Sequence, residues 1–367
     1  MRIYLLLFLF YFLCGIYNFY TGKKKHNLFS IFITILPMLL LVAFRGEYVG
    51  SDTITYKFGY DNILHLGSLK SLLNTNRMET GYLLVSYYCT RIGFSYFDFQ
   101  VVITFFIYFS WSLFFKRYSE RPFVSMFFFA ITTMSGTMNV VRMQIAIAIL
   151  LFSIPFIQKK QPLRFIAVIL LASMFHKTSV LFSVLYPICT IKYNKKIIIF
   201  ILLGAFAIVY MGASFFEALT SSVGMYEGYV DGKYFDSNRS SLGVIIDLSI
   251  QIIVLIYMYI KGAMTPIQYI DNKKAEIDIS YICIMMIWIY FALSIIGLTN
   301  NLMNRLSGYF SMSLLLLLPI TFNKYTNRNN SRLFFFIVAS CYTIKWIIIQ
   351  TYRPEWNVII PYKTFFD

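Results

Sequence analysis

Charged side chains are scarce in this chain of 367 residues: 13% are Asp, Glu, Lys or Arg, whereas 59% are hydrophobic. A soluble domain of this size does not need so much apolar surface, so the excess is expected to face lipid. Long polar segments are also lacking, which argues against a separate soluble domain. We therefore expect a single integral membrane domain over residues 1–367.

Cysteine is sparse as well, with five residues scattered singly within apolar runs. There is no CxxC or mixed Cys/His spacing, so neither a zinc site nor a disulfide framework is predicted. A Walker A loop, a GxGxxG turn before a helix, an HExxH pair and an Asp-rich metal motif are missing too. We therefore expect no cofactor and no metal, and in particular no ATP, nicotinamide or zinc.

Apolar runs of membrane-spanning length occupy most of the chain, since a transmembrane helix needs about 20 predominantly apolar residues. The first run has no small-residue cleavage site after it, so we expect a retained helix rather than a signal peptide. The pattern predicts an all-α polytopic transmembrane helical bundle of about 12 spans, with short external loops and interfacial helices. The clearest runs are Ile3–Tyr20, Leu28–Phe44, Phe123–Met134, Ile145–Ile157, Ile197–Met211, Val244–Ile260, Tyr281–Leu298, Leu314–Phe322 and Leu333–Gln350.

The net charge of +16 is concentrated in short loops between apolar runs. Cytoplasmic loops carry an excess of Lys and Arg, so we predict that these loops are cytoplasmic. Topology then explains most of the charge, and no nucleic acid partner is expected. The six loops, which hold 18 of the 32 basic residues, are Lys23–Lys25, Lys116–Arg121, Lys159–Arg164, Lys192–Lys196, Lys261–Lys274 and Lys324–Arg332.

Two of the segments that this topology places outside are long, at about residues 45–78 and 214–241. In the first, Ile63–Leu73 is predicted to form a short amphipathic interfacial helix. The second is rich in Gly, Ser, Tyr and Asp, which is typical of a loop that covers an external cavity. Between Lys25 and Lys116 the number of crossings must be odd, so the short, more polar Gly81–Arg91 is predicted to be re-entrant or tilted.

Two arginines lie at external helix ends, where the positive-inside rule does not require them. Arg142 follows Asn139 by three residues, so the two are expected to share a helix face, with Gln144 less certain to join them. Arg305 precedes Tyr309 by four residues, again on one face. A guanidinium in such a place is the usual partner of a phosphate or carboxylate. The alternative is an anchor at the lipid headgroups.

Acidic and imidazole groups also occur at external ends. Asp52 follows Arg45 in a polar turn and is expected to cap a short helix, while Arg45 itself could simply snorkel outward. Glu79 either caps the next helix or, half-sunk at the membrane surface, has the raised pKa of a general base. His176 lies in a short turn beside Lys177, whose charge favours the neutral imidazole. Together these side chains predict an anionic-ligand cavity that opens outward.

At these residues the chain resembles the EpsG family, membrane proteins of exopolysaccharide and capsule synthesis related to Wzy-type polymerases. The resemblance covers nearly the whole chain, and the order and spacing of its motifs are more specific than any one motif. Two departures from the family pattern are Ser51, where Thr is common, and Met143, which separates Arg142 from Gln144. The motifs are Arg45…Val49-Gly50-Ser51-Asp52…Tyr56, Glu79-x-Gly81-Tyr82, Asn139-x-x-Arg142-x-Gln144-x-Ala146, Phe175-His176-x-x-Ser179, Arg305-x-x-x-Tyr309-Phe310 and Pro361-Tyr362-Lys363.

The resemblance implies a metal-independent glycosyltransferase that polymerises polyprenyl-diphosphate-linked oligosaccharide repeat units on the outer face of the cytoplasmic membrane. The residues fit this activity, because departure of a lipid diphosphate concentrates negative charge at the headgroups. Arg142 and Arg305, with Arg45 as a further candidate, are predicted to bind the diphosphate. Predicted bases for the acceptor hydroxyl are Glu79, His176 and Asp52, with Asn139, Gln144 and Tyr309 among the substrate-binding side chains.

Three other activities stay open. A flippase would need polar residues along the whole path through the bilayer, whereas here they gather at one side. A membrane O-acyltransferase usually shows an early His near an Arg, and the early candidates are His26 in a basic loop and His65 with no Arg close by. An oligosaccharide ligase uses the same donor with a different acceptor. Expected partners are the lipid-linked donor, membrane lipid, a chain-length regulator and a flippase.

Overall fold

A computed structural model describes residues 1–21, 26–65, 69, 72, 78–191, 194–211, 242–264, 270–271, 276–298 and 301–367. These residues are overwhelmingly helical, which confirms the predicted all-α class. Short 3-10 turns join several helices, and two dipeptide strands, β1 (Ile270–Asp271) and β2 (Glu276–Ile277), pair antiparallel. The helices are α1 (Arg2–Thr21), α2 (Leu28–Ala43), α3 (Thr53–His65), α4 (Thr80–Arg91), α5 (Tyr96–Tyr118), α6 (Pro122–Thr132), α7 (Met134–Asn139), α8 (Val141–Leu150), α9 (Ile154–Gln158), α10 (Pro162–Ser173), α11 (Leu185–Thr190), α12 (Lys195–Met211), α13 (Leu242–Ile260), α14 (Ile279–Ile296), α15 (Asn301–Ser307), α16 (Met312–Lys324) and α17 (Arg328–Tyr352).

Polar side chains fix where several of the apolar helices begin. Ser95 and Asp98 form a reciprocal capping box at the start of α5. Asn27, Asn327 and Asp278 each accept a backbone N–H in the first turn of α2, α17 and α14, respectively. Each cap satisfies one of the amide groups that a helix start leaves without an intrahelical partner.

Among the described residues, six helical segments are long and apolar enough to cross a membrane, and a seventh is added if a bent pair counts as one span. The chain is therefore a multi-pass membrane protein. The segments are Arg2–Thr21, Tyr96–Tyr118, Val141–Gln158, Leu242–Ile260, Ile279–Ile296 and Arg328–Tyr352, and the bent pair is Asn304–Phe310 with Met312–Lys324.

Several predicted spans are shorter helices, so the count of about 12 stays a prediction. Leu28–Ala43 has 16 residues, Pro122–Thr132 has 11 and Pro162–Ser173 has 12. At about 1.5 Å per residue these helices measure roughly 16–24 Å, against about 30 Å of hydrocarbon. Thr80–Arg91 is equally short, which fits the expectation that this segment does not cross as a simple span.

Parts of the external and basic segments lie outside the described residues, including Lys23–Lys25 and the predicted loop 214–241. Most of the predicted interfacial helix Ile63–Leu73 lies there too. In its described part the helix begins earlier than expected, at Thr53, directly after Asp52.

The chain divides into two compact units, Met1–Ser183 with Leu318–Asp367, and Val184–Leu317. In the second unit, α14 packs against α11, α12, α13 and α15. Ala205, Ala292 and Ile296 form one apolar cluster there. The reading of residues 1–367 as one domain stays a prediction.

In the first unit, α1 and α17 run antiparallel and pack with α6. Tyr4, near the start of α1, lies against Trp346 near the end of α17, with ring centroids 5.6 Å apart. At the other end of α1, the Arg332 guanidinium lies over the Tyr20 ring, with its Cζ 4.2 Å from the ring centroid. The hydroxyl of Tyr4 also donates to the Ile359 carbonyl at 3.1 Å, which holds the C-terminal segment against this end.

The C-terminal segment pairs with the loop that follows α2 and so fixes the start of the polar turn around Ser51. Arg45 and Thr364 form an isolated antiparallel bridge. Three backbone hydrogen bonds hold the two segments together. The Gly46 amide donates to the Lys363 carbonyl at 2.9 Å, the Phe365 amide to the Phe44 carbonyl at 2.9 Å, and the Gly50 amide to the Val358 carbonyl at 2.8 Å.

Removal of residues 358–367 is expected to loosen this loop, because the amide groups of Gly46 and Gly50 lose their acceptors. Hydrogen–deuterium exchange of these two amides should speed up at least about tenfold. The amide of Ser30, which is bonded to Asn27 at the start of α2, is the internal control and should not change. Unchanged exchange at Gly46 and Gly50 would contradict the pairing.

Candidate functional site

Glu79 is the centre of a charged cluster built from three separate segments of the first unit. Its Oε2 accepts a hydrogen bond from Arg142 Nη1, and its Oε1 lies 3.0 Å from His176 Nδ1. The Glu79 side chain is only 8% exposed, whereas those of Arg142 and His176 are 26% and 22% exposed. The carboxylate is therefore more deeply buried than the two side chains it contacts.

Gly81 brings Glu79 close to the His176 turn. The Gly81 amide donates to the Met174 carbonyl at 2.7 Å, and a Cβ at Gly81 would lie 2.8 Å from that oxygen. Glu79 itself occupies the N-cap position of α4 with an extended backbone, but its side chain makes no capping hydrogen bond. The simple capping account of Glu79 is therefore wrong, because its carboxylate turns to Arg142 and His176 instead.

The acid–base character of Glu79 differs from the expectation. Burial raises the pKa of its carboxyl, but the hydrogen bond from His176 and the charge of Arg142 outweigh burial and bring the pKa down to about 2. The expected raised pKa is wrong, because the sequence did not reveal these two partners. Glu79 is an ionised group that holds its neighbours, and it is a weak base at neutral pH.

Arg142 lies in the first turn of α8 and contacts Tyr56 as well as Glu79. Its Nε lies 3.5 Å from the Tyr56 hydroxyl, and its Cζ lies 5.7 Å from the centroid of that ring. Burial raises the pKa of the Tyr56 phenol, so this group stays a neutral donor. Tyr56 extends the cluster to α3, and we did not predict it as a site residue although it belongs to the first polar motif.

Asn139 ties the turn after α2 to the same region. Its Oδ1 accepts hydrogen bonds from the Ser51 amide at 2.5 Å and from the Ser51 hydroxyl at 2.9 Å. Its Nδ2 donates to the Ser135 carbonyl at 2.8 Å. The Ser51 hydroxyl also lies 3.1 Å from Asp52 Oδ1. Asn139 therefore positions the turn that carries Asp52, and its predicted contact with substrate stays a prediction.

The spacing of Asn139 and Arg142 predicted that the two residues share a helix face, and this prediction is wrong. Val140, with φ −90° and ψ 58°, interrupts the helix between α7 and α8. The two side chains therefore reach the site from different helices.

Gly50 is required where this turn passes α7. Its φ of +104° lies in the left-handed region, and a Cβ there would lie 2.6 Å from the Met138 carbonyl oxygen. A side chain would be strained by both the backbone and this contact.

Two predicted ligand-binding side chains are buried instead. Arg45 is 2% exposed, and its Nη1 donates to the Val42 carbonyl at 2.6 Å. Gln144 is also buried, with its amide nitrogen next to Gly136. The prediction that Arg45 and Gln144 bind the substrate diphosphate stays a prediction.

Arg305 and Tyr309 belong to the second unit. Arg305 is exposed in the last turn of α15, whereas Tyr309 is buried in the 3-10 turn that follows. The backbone changes from α to 3-10 geometry between them, so the expected shared face is wrong. Their place in a common site with Glu79 stays a prediction.

No group of three or more His, Cys, Asp or Glu side chains suited to a metal ion occurs within the described ranges. Metal independence of the activity stays a prediction. The cluster at Glu79 offers a guanidinium, a phenol and an imidazole, which suit an anionic ligand and a proton transfer.

Membrane-crossing helices with this ionised cluster at helix ends define a multi-pass membrane protein with a candidate anion site. The chain belongs to the EpsG family, whose family model matches residues 28–364, so the predicted resemblance is confirmed. This family contains polysaccharide-polymerase-like membrane proteins of the glycosyltransferase kind. No curated protein and no solved structure gives a significant match to the chain.

Gly81→Ala is expected to separate Glu79 from His176, because the new methyl group would lie 2.8 Å from the Met174 carbonyl oxygen. The variant should lower the melting temperature in detergent by several degrees and reduce activity at least about tenfold. Gly204→Ala is the matched control, since a Cβ there meets nothing within 4 Å. Equal behaviour of the two variants would contradict the close approach.

Glu79→Gln should destabilise the protein by about 2 kcal/mol at neutral pH, because it removes a charge held by two partners. The folded-state pKa is depressed, so this stabilisation is present above about pH 4.5 and is lost as the pH falls to about 2. The melting temperatures of the wild type and Glu79→Gln should therefore converge over this window. A difference in melting temperature between the two proteins that stays constant down to pH 2 would contradict the contacts of the ionised Glu79 carboxylate.

Proposed function

We propose that the protein is a polysaccharide polymerase that joins polyprenyl-diphosphate-linked oligosaccharide repeat units into exopolysaccharide, capsule or O-antigen. The observation that supports this most directly is the convergence of Arg142, Glu79 and His176 from separate segments. The reaction takes place at the outer face of the cytoplasmic (inner) membrane. Family membership supports the polymerase class.

The reaction replaces one bond at the anomeric carbon. A hydroxyl oxygen of the acceptor sugar attacks C1 of the donor, and the bond between C1 and the diphosphate oxygen breaks. The lipid diphosphate leaves with the bonding electrons, and the hydroxyl proton passes to a base. The protein must therefore stabilise negative charge at the diphosphate and accept one proton.

Arg142 is the proposed partner of the departing diphosphate. Its guanidinium is 26% exposed and is held at Nη1 by Glu79 and near Nε by Tyr56. These contacts fix the plane of the fork, so binding a phosphate oxygen costs little further ordering. The Tyr56 phenol lies close enough to supply a neutral donor beside the guanidinium.

His176 is the proposed base, and Glu79 is its positioning residue. The Glu79 carboxylate can only accept, so the Nδ1–H of His176 donates to it, and proton transfer by the ring runs through Nε2. Asp52 is the alternative base.

Arg305 is proposed as a second cation for the diphosphate, because an exposed guanidinium at an external helix end suits this ligand. Further proposed partners are a flippase that delivers the repeat units and a chain-length regulator.

The proposal is tested in cells supplied with lipid-linked repeat units. Arg142→Ala and Arg305→Ala should abolish chain extension, and Arg142→Lys should lower it by roughly 100-fold because the fork is lost. Arg91→Ala is the control, since Arg91 is an exposed arginine stacked on Tyr87 at 4.8 Å, and it should extend chains normally. Protein levels are measured for every variant.

The intermediates separate the candidate activities. Loss of a polymerase leaves single lipid-linked units outside, whereas loss of a flippase leaves them inside. Loss of a ligase leaves finished polymer on the lipid, and loss of an O-acyltransferase leaves polymer of normal length without its acyl groups. Normal polymer from both Arg142→Ala and Arg305→Ala would rule out their assigned roles.

A further inference from the structure

A second cluster of basic side chains lies at the opposite end of α1 from the polar turns. Near its start, the Tyr4 hydroxyl lies 3.9 Å from Met138 Sδ, next to Asn139. Near its end, the Asn18 carbonyl accepts a hydrogen bond from Arg121 Nη1 at 2.8 Å. Asn18 follows Tyr4 by 14 residues, which corresponds to roughly 21 Å of helix. The two regions are therefore separated by much of the membrane thickness.

Three arginines meet at this end, and we name Arg121, Arg328 and Arg332 the arginine cluster. Arg121 is 8% exposed, its Cζ lies 4.6 Å from the Phe19 ring centroid, and its Nε is buried without a hydrogen bond. Arg328 donates through Nη2 to the Tyr20 carbonyl. Arg332 stacks on the Tyr20 ring, and its Nε is also buried without a hydrogen bond.

No carboxylate among the described residues forms a salt bridge with the arginine cluster. Within the described residues, no Asp or Glu oxygen lies within 4 Å of its nitrogens. Glu120 is next to Arg121 in sequence, but its Oε2 accepts from Asn323 Nδ2 at 2.7 Å. The parts of this unit that the structure does not describe contain no Asp or Glu at all. Burial and the positive charges of Arg328 and Arg332 lower the pKa of Arg121, and the opposing effect of the Glu120 charge does not cancel this shift.

Capping of α1 does not account for three guanidiniums. Arg121 and Arg328 donate to carbonyl groups near the C-terminal end of α1, where basic side chains are favourable. The helix end carries about half a negative charge, however, against three full positive charges. Arg332 makes no such contact, because its guanidinium lies over the Tyr20 ring. Among the described residues, the buried Nε groups of Arg121 and Arg332 still have no hydrogen-bond acceptor.

We propose that the arginine cluster binds a phosphate group, of the kind that anionic membrane lipids present at the headgroup level. Phosphate oxygens match several guanidinium forks at once, and Phe19 and Tyr20 hold two of those forks by cation–π contacts. Tyr20 and Leu333 expose large apolar surfaces beside the cluster, which suits the acyl chains of a lipid. The basic loops place this site in the cytoplasmic leaflet, away from the proposed polymerase site.

The test uses the purified full-length protein in detergent, with bound lipid counted by native mass spectrometry. Phosphatidylglycerol is titrated against phosphatidylcholine, which has no net charge. The wild type should bind phosphatidylglycerol at least about tenfold more tightly. Arg328→Gln/Arg332→Gln should lose this preference, whereas Arg332→Lys, which keeps the charge without the fork, should retain part of it.

Arg117→Gln is the matched control, because Arg117 is an exposed arginine at the end of α5 that stacks on Tyr118 at 5.2 Å. It removes one charge from the basic loop that also contains Arg121, and it should keep the preference. Competition by glycerol 3-phosphate identifies a soluble phosphate as the occupant, and lack of competition identifies the lipid. If the double variant aggregates, Arg332→Gln alone decides the result. If Arg328→Gln/Arg332→Gln, or Arg332→Gln where the double variant aggregates, binds phosphatidylglycerol as tightly as the wild type does, the proposal is overturned.

Discussion

The two-sided engagement of the Glu79 carboxylate is the interaction on which the candidate site depends. One oxygen holds Arg142 and the other holds His176, so a single buried anion fixes a cation and an imidazole from two other segments. An ionised carboxylate in so buried a position is tolerated only with such partners, since burial alone would favour its neutral form. A carboxylate with a pKa of about 2 stays ionised at neutral pH and so positions its two neighbours.

The first unit has a charged cluster near each end of α1, and the arginines of the two clusters have different partners. At the Glu79 end, Arg142 has a carboxylate partner. At the other end, the arginine cluster has aromatic rings and helix carbonyls as partners, with no carboxylate in contact within the described part of the chain. In the topology predicted from the sequence, the positive-inside rule accounts only for the second end. A guanidinium that this rule does not require is therefore the better indication of a site.

The sequence predicted helices well, because long apolar runs leave the backbone no other way to satisfy its hydrogen bonds in lipid. It also singled out Glu79, Arg142 and His176. It predicted that they share a cavity but not that Glu79 pairs with both Arg142 and His176, because this pairing depends on the approach of Gly81 to Met174, which periodicity does not encode. The break at Val140 was missed for a similar reason, since nothing in Asn139-Val140-Val141-Arg142 is a helix breaker. Arg45 was misleading because an arginine after an apolar helix looks alike whether it faces lipid headgroups or the protein interior.

A double-mutant cycle on Glu79 and Arg142 tests this account most directly. Thermal unfolding in detergent at neutral pH is compared for the wild type, Glu79→Gln, Arg142→Gln and the double variant. The ion pair predicts a coupling free energy of at least about 1 kcal/mol, because each single change leaves a buried or half-buried charge without its partner. Additive effects, with a coupling free energy near zero, would contradict the pairing at the centre of the site.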